Sequence, residues 1–151
     1  MADTKGSAPH TAVVQGSAKG FAQAIKVGSH GLVADEPLAS GGTDSGPNPY
    51  DLLIAALGAC TSMTVSLYAR RKQWPLDDVT VTLRHSKVHA VDCENCETKS
   101  AMIDYIERTI ALFGALSEEQ RTRLLEIANK CPVHKTLTSK IEIETKLVAS
   151  A

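Results

Sequence analysis

The stretch "NPYDLLIAALGACTSM", residues 48–63, decides how this chain folds. Pro49 suits the first turn of a helix, where its missing N–H costs little. Between Leu52 and Ala59 the side chains are apolar on every side. A helix with no polar face runs through a core. This one extends to about Lys72, and "ARRK", residues 69–72, puts cations at the negative end of the helix dipole. Stepping by three and four from Cys60 collects Leu53, Ala56, Leu57, Met63, Thr64 and Leu67 into one packed stripe. A cysteine in such a stripe is ordinarily a small hydrophobe, so other residues must mark Cys60 as chemistry.

Upstream, residues 1–11, "MADTKGSAPHT", are small and polar and read as a flexible terminus, leaving 12–151 as one domain. "TAVVQGSAKGFAQAIKVGSHGLVADEP", residues 11–37, mixes β-type runs with Gly16, Gly20, Gly28 and Gly31, the pattern of a strand meander. "ASGGTDSGPNP", residues 39–49, is a loop. It lacks the Lys-Ser/Thr of a phosphate-cradling loop. Downstream, "VTVTLRHSKVH", residues 79–89, alternates with Val79, Val81 and Leu83 on one face. "DYIERTIAL", residues 104–112, does the same with Ile106, Ile110 and Leu112. Ser117 with Gln120 is a capping box. It opens a helix that turns Leu124, Ile127 and Ala128 inward and ends at "KCPVH", residues 130–134, since Pro132 stops propagation. "KIEIETKLV", residues 140–148, closes the chain as an alternating strand. Strands, a long helix, strands, a helix and a strand make an α+β fold.

Bulk properties narrow the function classes. A net charge of −1 gives no electrostatic footprint for nucleic acid or an anionic membrane, and 4% aromatic residues offer no base-stacking platform. The longest uninterrupted apolar run, Leu52 to Cys60, falls short of a membrane span. Four cysteines behind no visible secretory signal point to the reducing cytoplasm, where thiols serve redox, metal or packing roles.

Two long segments carry more information than either cysteine alone. "GGTDSGPNPYDLLIAALGACTSMTV", residues 41–65, followed by "LLEIANKCPVHKTLT", residues 124–138, resembles the osmotically inducible protein C (OsmC) family. That family includes the organic hydroperoxide resistance proteins. The resemblance runs from about Gly28 to Thr145, and is strongest with the branch carrying "PYxLLxAALGACTSM" and "CPVH". It implies antiparallel sheets around a long central apolar helix, two intertwined chains, and active sites at the dimer interface. It further implies that Cys60 attacks a hydroperoxide and becomes a sulfenic acid. Cys131 would resolve that acid as a disulfide, and an external dithiol would reduce it.

The sequence departs from the family at the activating groups. An arginine from the N-terminal strands and a glutamate before the helix serve the thiolate in well-characterised members. Here Tyr50 stands at the glutamate's place, and the first arginine is Arg70. The remaining thiolate-activating candidates are His30, Asp51, Tyr50 and His134, with His30 first and His134 second. A protonated imidazole would lower a nearby thiol's pKa, and a neutral one could act as base.

A second thiol pair lies in "RHSKVHAVDCENCE", residues 84–97. His89, Cys93 and Cys96 supply three local ligands of the kind zinc takes, one short of a tetrahedral set. On a strand His85 would stand roughly 13 Å from His89, too far to complete it. An exposed loop, a metal site and a redox pair all remain open for this segment. Three functions therefore compete. The leading one is a cofactor-free thiol peroxidase using Cys60 and Cys131 on organic hydroperoxides. The others are a small-ligand-binding module and a metal-binding protein centred on His89, Cys93 and Cys96.

Overall fold

The computed structural model describes residues 9–89 and 102–149. The chain divides into two compact units, residues 1–52 and 53–151. In the first, β1 (Ala12–Gly16), β2 (Gln23–Val27) and β3 (His30–Ala34) form an antiparallel meander. Ala12 pairs with Val27, and Gln23 with Ala34, so both connections are tight. Gly28, with φ of 61°, supplies the left-handed residue of the β2–β3 turn.

The glycine-rich loop that follows is organised by one buried carboxylate. Asp35 accepts the Thr43 and Ser45 backbone N–H groups at 3.0 and 3.2 Å and the Ser45 hydroxyl at 2.8 Å, and it also accepts the Thr43 hydroxyl. The Thr43 side chain leads in holding this carboxyl well below the usual range, opposed by burial and assisted by Ser45 and the Glu36 N–H. The loop delivers the chain to α1 (Pro49–Arg71). Asn48 and Asp51 cap its start reciprocally: Asp51 N–H donates to Asn48 Oδ1 at 2.9 Å, and Asn48 N–H donates to Asp51 Oδ2 at 3.1 Å.

The second unit packs α1 with an antiparallel pair and two shorter helices. β4 (Asp78–His89) and β5 (Met102–Phe113) pair from Asp78↔Phe113 to His89↔Met102. α2 (Glu118–Ala128) opens on the Ser117–Gln120 capping box, as the sequence predicts. Val65 and Ala69 of α1 meet Leu116, Leu124 and Ala128 in the core, with Trp74, Val79, Ile110 and Leu112 packed around them. A Cβ on Gly58 would stand 2.7 Å from Leu83 Cδ1, so this glycine lets β4 come close to the helix. Arg121 donates to the Leu112 and Gly114 carbonyls at 2.8 and 3.1 Å, tying the end of β5 to α2.

Four expectations need correction. The buried stripe of α1 is Leu57, Thr61, Val65 and Ala69, with Gly58 beside it. Leu53, Met63 and Leu67 of the predicted stripe are 39%, 70% and 43% exposed. A helix apolar on all sides carries no phase, and centring the stripe one residue off turns it by about 100°. Pro132 opens a new helix, α3 (Pro132–Leu137), after the three residues that follow α2. Residues 140–149 form neither helix nor strand, and Ile143 is 85% exposed. Alternation yields a strand only where a ladder partner exists, and among the described residues of this chain none pairs with them. By length and composition the whole of α1 could cross a membrane, which its longest uninterrupted run conceals. Its buried face here packs on protein.

Candidate active site

The second unit brings Cys60 and Cys131 together. Cys60 is half-buried on α1, while Cys131 is fully buried at the N-cap of α3. Thr61, next to Cys60 and on the buried stripe, carries its hydroxyl 3.7 Å from Cys131 Sγ. Cys131 Sγ accepts the His134 backbone N–H at 3.3 Å, doing with sulfur what serine or aspartate does at other helix starts. The Cys60 thiol is among the groups that ease ionisation of Cys131. Cys131 is therefore a buried sulfur facing donors from two helices.

A fourth group completes the cluster, and the sequence reading passed over it. Arg108 lies on β5 between Ile106 and Ile110, on the inward-facing side of the strand. Its Nη1 donates to Thr61 Oγ1 at 2.9 Å. Its Nη2 donates to Asn129 Oδ1 at 2.9 Å and meets His134 Nδ1 at 3.2 Å. A guanidinium only donates, so Nδ1 accepts and the ring's proton sits on Nε2. Among the described residues no carboxylate pairs with Arg108. None of the three partners is a carboxylate, and the guanidinium charge acts on Cys131. The signal was the alternation itself: a strand reading Ile-x-Arg-x-Ile-x-Leu puts a cation where the period calls for an apolar residue.

These contacts set the state of Cys131. Burial by itself pushes its thiol up. The His134 N–H, the Thr61 hydroxyl, the Cys60 thiol and the Arg108 charge act the other way and prevail, so Cys131 ionises more readily than an ordinary cysteine. Thr61 has one proton to give, and it points at the Leu57 carbonyl 2.7 Å away. That carbonyl already takes a helix-ladder bond, so the hydroxyl can turn to a thiolate at little cost. Arg108, donating into the hydroxyl oxygen, makes it a better donor.

Of the activating candidates named from sequence, His30, Tyr50 and Asp51 belong to the first unit and His134 to the second. Asp51 is engaged in capping α1, and Tyr50 beside it is exposed. His30 is exposed at the start of β3, opposite Val27 in register. His134 is at the cluster, through its backbone N–H to Cys131 and its ring to Arg108. Of the second thiol pair, Cys93 and Cys96 lie outside the described residues, and so does the side chain of His89. His85, the fourth ligand weighed for that site, contacts Asp104 at 2.8 Å, and Lys87 stands 3.2 Å from the same carboxylate.

Two antiparallel sheets and a long helix, with a cysteine on that helix and another at the start of a short one, make an α+β protein of defined class. The sequence profile of the OsmC-like proteins matches residues 42–146, and the chain belongs to that family. No match is found among curated proteins. Among solved structures, the chain is similar to an organic hydroperoxide resistance protein from Elizabethkingia anophelis crystallised with thiocyanate bound. The two are 22% identical over 91% of this chain and 94% of that one, with a TM-score of 0.66. An organic hydroperoxide resistance protein from Legionella pneumophila is 20% identical over 89% and 92%, with a TM-score of 0.65. One from Bacillus subtilis is 19% identical over 86% and 90%, with a TM-score of 0.60. At these identities the likeness is one of fold.

Proposed function

We propose that the protein is a thiol peroxidase that reduces organic hydroperoxides with Cys60 and Cys131 and an external dithiol. The observation that carries this reading is a half-buried thiol together with a buried, hydrogen-bonded one beside an arginine that, among the described residues, pairs with no carboxylate. Cys60 is the sulfur a substrate can reach. Its thiolate attacks the terminal oxygen of the hydroperoxide; the S–O bond forms, the O–O bond breaks, and the alkoxide leaves as an alcohol. The Cys131 thiolate then attacks the Cys60 sulfenic acid, the S–S bond forms, and hydroxide leaves. A dithiol reduces the disulfide by exchange and restores both thiols. Apolar side chains around the helix favour an alkyl hydroperoxide over hydrogen peroxide, and thiol cycling of this kind belongs in the cytoplasm.

The reading includes a homodimer. Leu53, Met63 and Leu67 on α1 stand exposed in the single chain, as do Ile141, Ile143, Leu147 and Val148 near its end. Apolar surface of that extent is covered in a stable protein, and a second copy of the chain would do so.

Steady-state reduction of cumene hydroperoxide by the reduced protein with a dithiol tests the proposal. Wild type should turn over, Cys60→Ser should be inactive, and Cys131→Ser should stall after oxidising Cys60 once. Turnover that survives Cys60→Ser, or a wild type that leaves the hydroperoxide intact, would reject it.

A further inference from the structure

We propose that Arg108 is a positioning residue for the disulfide step: it staples the turn that carries Cys131 to the helix that carries Cys60. The inference rests on the peroxidase reading and names the residue that governs its second step. Cys131 lies between Asn129, the C-cap of α2, and His134 of α3. Arg108 grips both sides of that turn. Its Nη2 donates to Asn129 Oδ1 at 2.9 Å and to His134 Nδ1 at 3.2 Å. Its Nη1 donates at 2.9 Å to Oγ1 of Thr61, the residue that follows Cys60 on α1. The same Thr61 oxygen stands 3.7 Å from Cys131 Sγ, so the staple closes at the sulfur itself. The backbone bonds of the turn run to its own neighbours, from the Lys130 N–H to the Ile127 carbonyl at 2.9 Å and from the Cys131 N–H to Ala128 at 3.4 Å. They hold the turn to α2, and the guanidinium adds the tie to α1 and β5.

In the disulfide step the Cys131 sulfur displaces the hydroxyl of the Cys60 sulfenic acid. The S–S bond forms, the S–O bond breaks, and the hydroxyl leaves with the Cys131 proton as water. The two cysteines are far apart in sequence, so the chain between them does little to bring them together. The effective concentration of one sulfur at the other is set by how firmly the turn is held. A planar fork that reaches three side chains can hold it, and an ammonium, a point charge, cannot reproduce that geometry. The staple is separable from the charge, because the two act on the disulfide with opposite sign. A cation that favours a thiolate stabilises the reduced pair and makes the disulfide easier to reduce. A staple that holds the turn in place makes the disulfide harder to reduce.

The test is a glutathione redox titration, in which the reduced protein and oxidised glutathione exchange to give the Cys60–Cys131 disulfide and two reduced glutathiones. The linked peptide is read by mass spectrometry, because the chain has four cysteines. Arg108→Lys keeps the charge and loses the fork. Asn129→Ala, at an exposed residue, keeps the guanidinium and removes one of its anchors. The disulfide formation constant should fall at least about tenfold in Arg108→Lys, a rise of about 30 mV in reduction potential, and about threefold in Asn129→Ala. A destabilisation shared equally by reduced and oxidised protein leaves the potential where it is, so a merely structural role does not produce these shifts. Potentials equal to or below wild type in both variants overturn the staple. So does a wild type that forms no Cys60–Cys131 disulfide at any glutathione ratio. Should Arg108→Lys fail to fold, Asn129→Ala decides alone, by the same rise or by its absence. The titration consumes no peroxide, so the peroxidase reading fails separately, by a wild type whose disulfide behaves as expected yet which leaves cumene hydroperoxide unreduced.

Discussion

Thr61→Val probes the cluster at its hinge, because valine keeps the shape of threonine and removes only the hydroxyl. That hydroxyl touches three groups: the Leu57 carbonyl, Cys131 Sγ and Arg108 Nη1. The Leu57 carbonyl loses little, since the α1 ladder still reaches it. Arg108 loses an acceptor; a hydrogen bond involving a charged group contributes about 1.5–3 kcal/mol, and the part-exposed guanidinium recovers some of that from water and from Asn129 and His134. Burying a methyl in place of a hydroxyl at a fully buried site offsets up to about 0.8 kcal/mol. The net expectation is a destabilisation of about 1 kcal/mol, read as a lower urea midpoint at unchanged slope under reducing conditions. Cys131 should also become harder to ionise, because one of the donors that favours its thiolate is gone. A thiol pKa lowered on folding adds stability that is fully present above the unfolded value of about 8.5 and is lost as pH falls through the folded value. Reduced wild type should accordingly gain stability from neutral pH toward that value, and Thr61→Val should gain less. Thr61→Ser is the control: it loses a packed methyl but keeps the hydroxyl, so stability falls while the thiolate absorbance titration stays near wild type. A Thr61→Val protein whose thiol titration matches wild type would refute the linkage between the hydroxyl and Cys131.

Three other perturbations have defined outcomes. Asp35→Asn should lower stability at neutral pH and flatten the acid limb below about pH 4, because a depressed carboxyl adds stability above its unfolded value and loses it as pH falls; a thermal melt series against pH reads both. Leu124→Ala, at a fully buried position packed on Val65 and Ala69, should cost about 2–5 kcal/mol in urea unfolding. Ile143→Asp should shift light scattering toward the monomer mass if a second copy covers that segment, and an unchanged dimer would show that the exposed residues 141–148 are no part of the interface.

The fold was legible wherever a periodic pattern met a cap. The meander, α1, both long strands and the Ser117–Gln120 helix start lie where alternation, Pro49 and the capping box put them. What failed was phase and partnership. An all-apolar helix does not say which side faces its own chain, so the stripe was centred on Cys60 when it runs through Thr61. "KIEIETKLV" has the alternation of a strand, yet period alone cannot supply a neighbour to complete the ladder. Pro132 reads equally as a stop or as a first helical residue. Cys131 decides for the second, since its sulfur caps the His134 N–H.

The sequence offered the two cysteines as candidates but not the charge beside Cys131. Resemblance directs the search for a cation to the N-terminal strands, where the first 69 residues contain no arginine. The guanidinium that reaches Thr61 comes instead from β5, 47 residues downstream in sequence. A buried-side arginine on a strand is costly unless its donors are satisfied, and Asn129, Thr61 and His134 satisfy Arg108 with neutral acceptors. That choice of acceptors is the functional point. A carboxylate partner would spend the positive charge on an ion pair, whereas a hydroxyl, an amide and an imidazole orient the guanidinium and leave its field for Cys131. Replacing Asn129 with Asp is therefore the sharpest perturbation of the cluster. Asn129→Asp keeps the shape and the contact to Arg108, and should strengthen that single bond as a charge-assisted one. It should nonetheless raise the pH at which Cys131 ionises in the thiolate absorbance titration, with no loss of fold. An Asn129→Asp protein as stable as wild type and with the same thiol titration would show that the Arg108 charge does not reach Cys131.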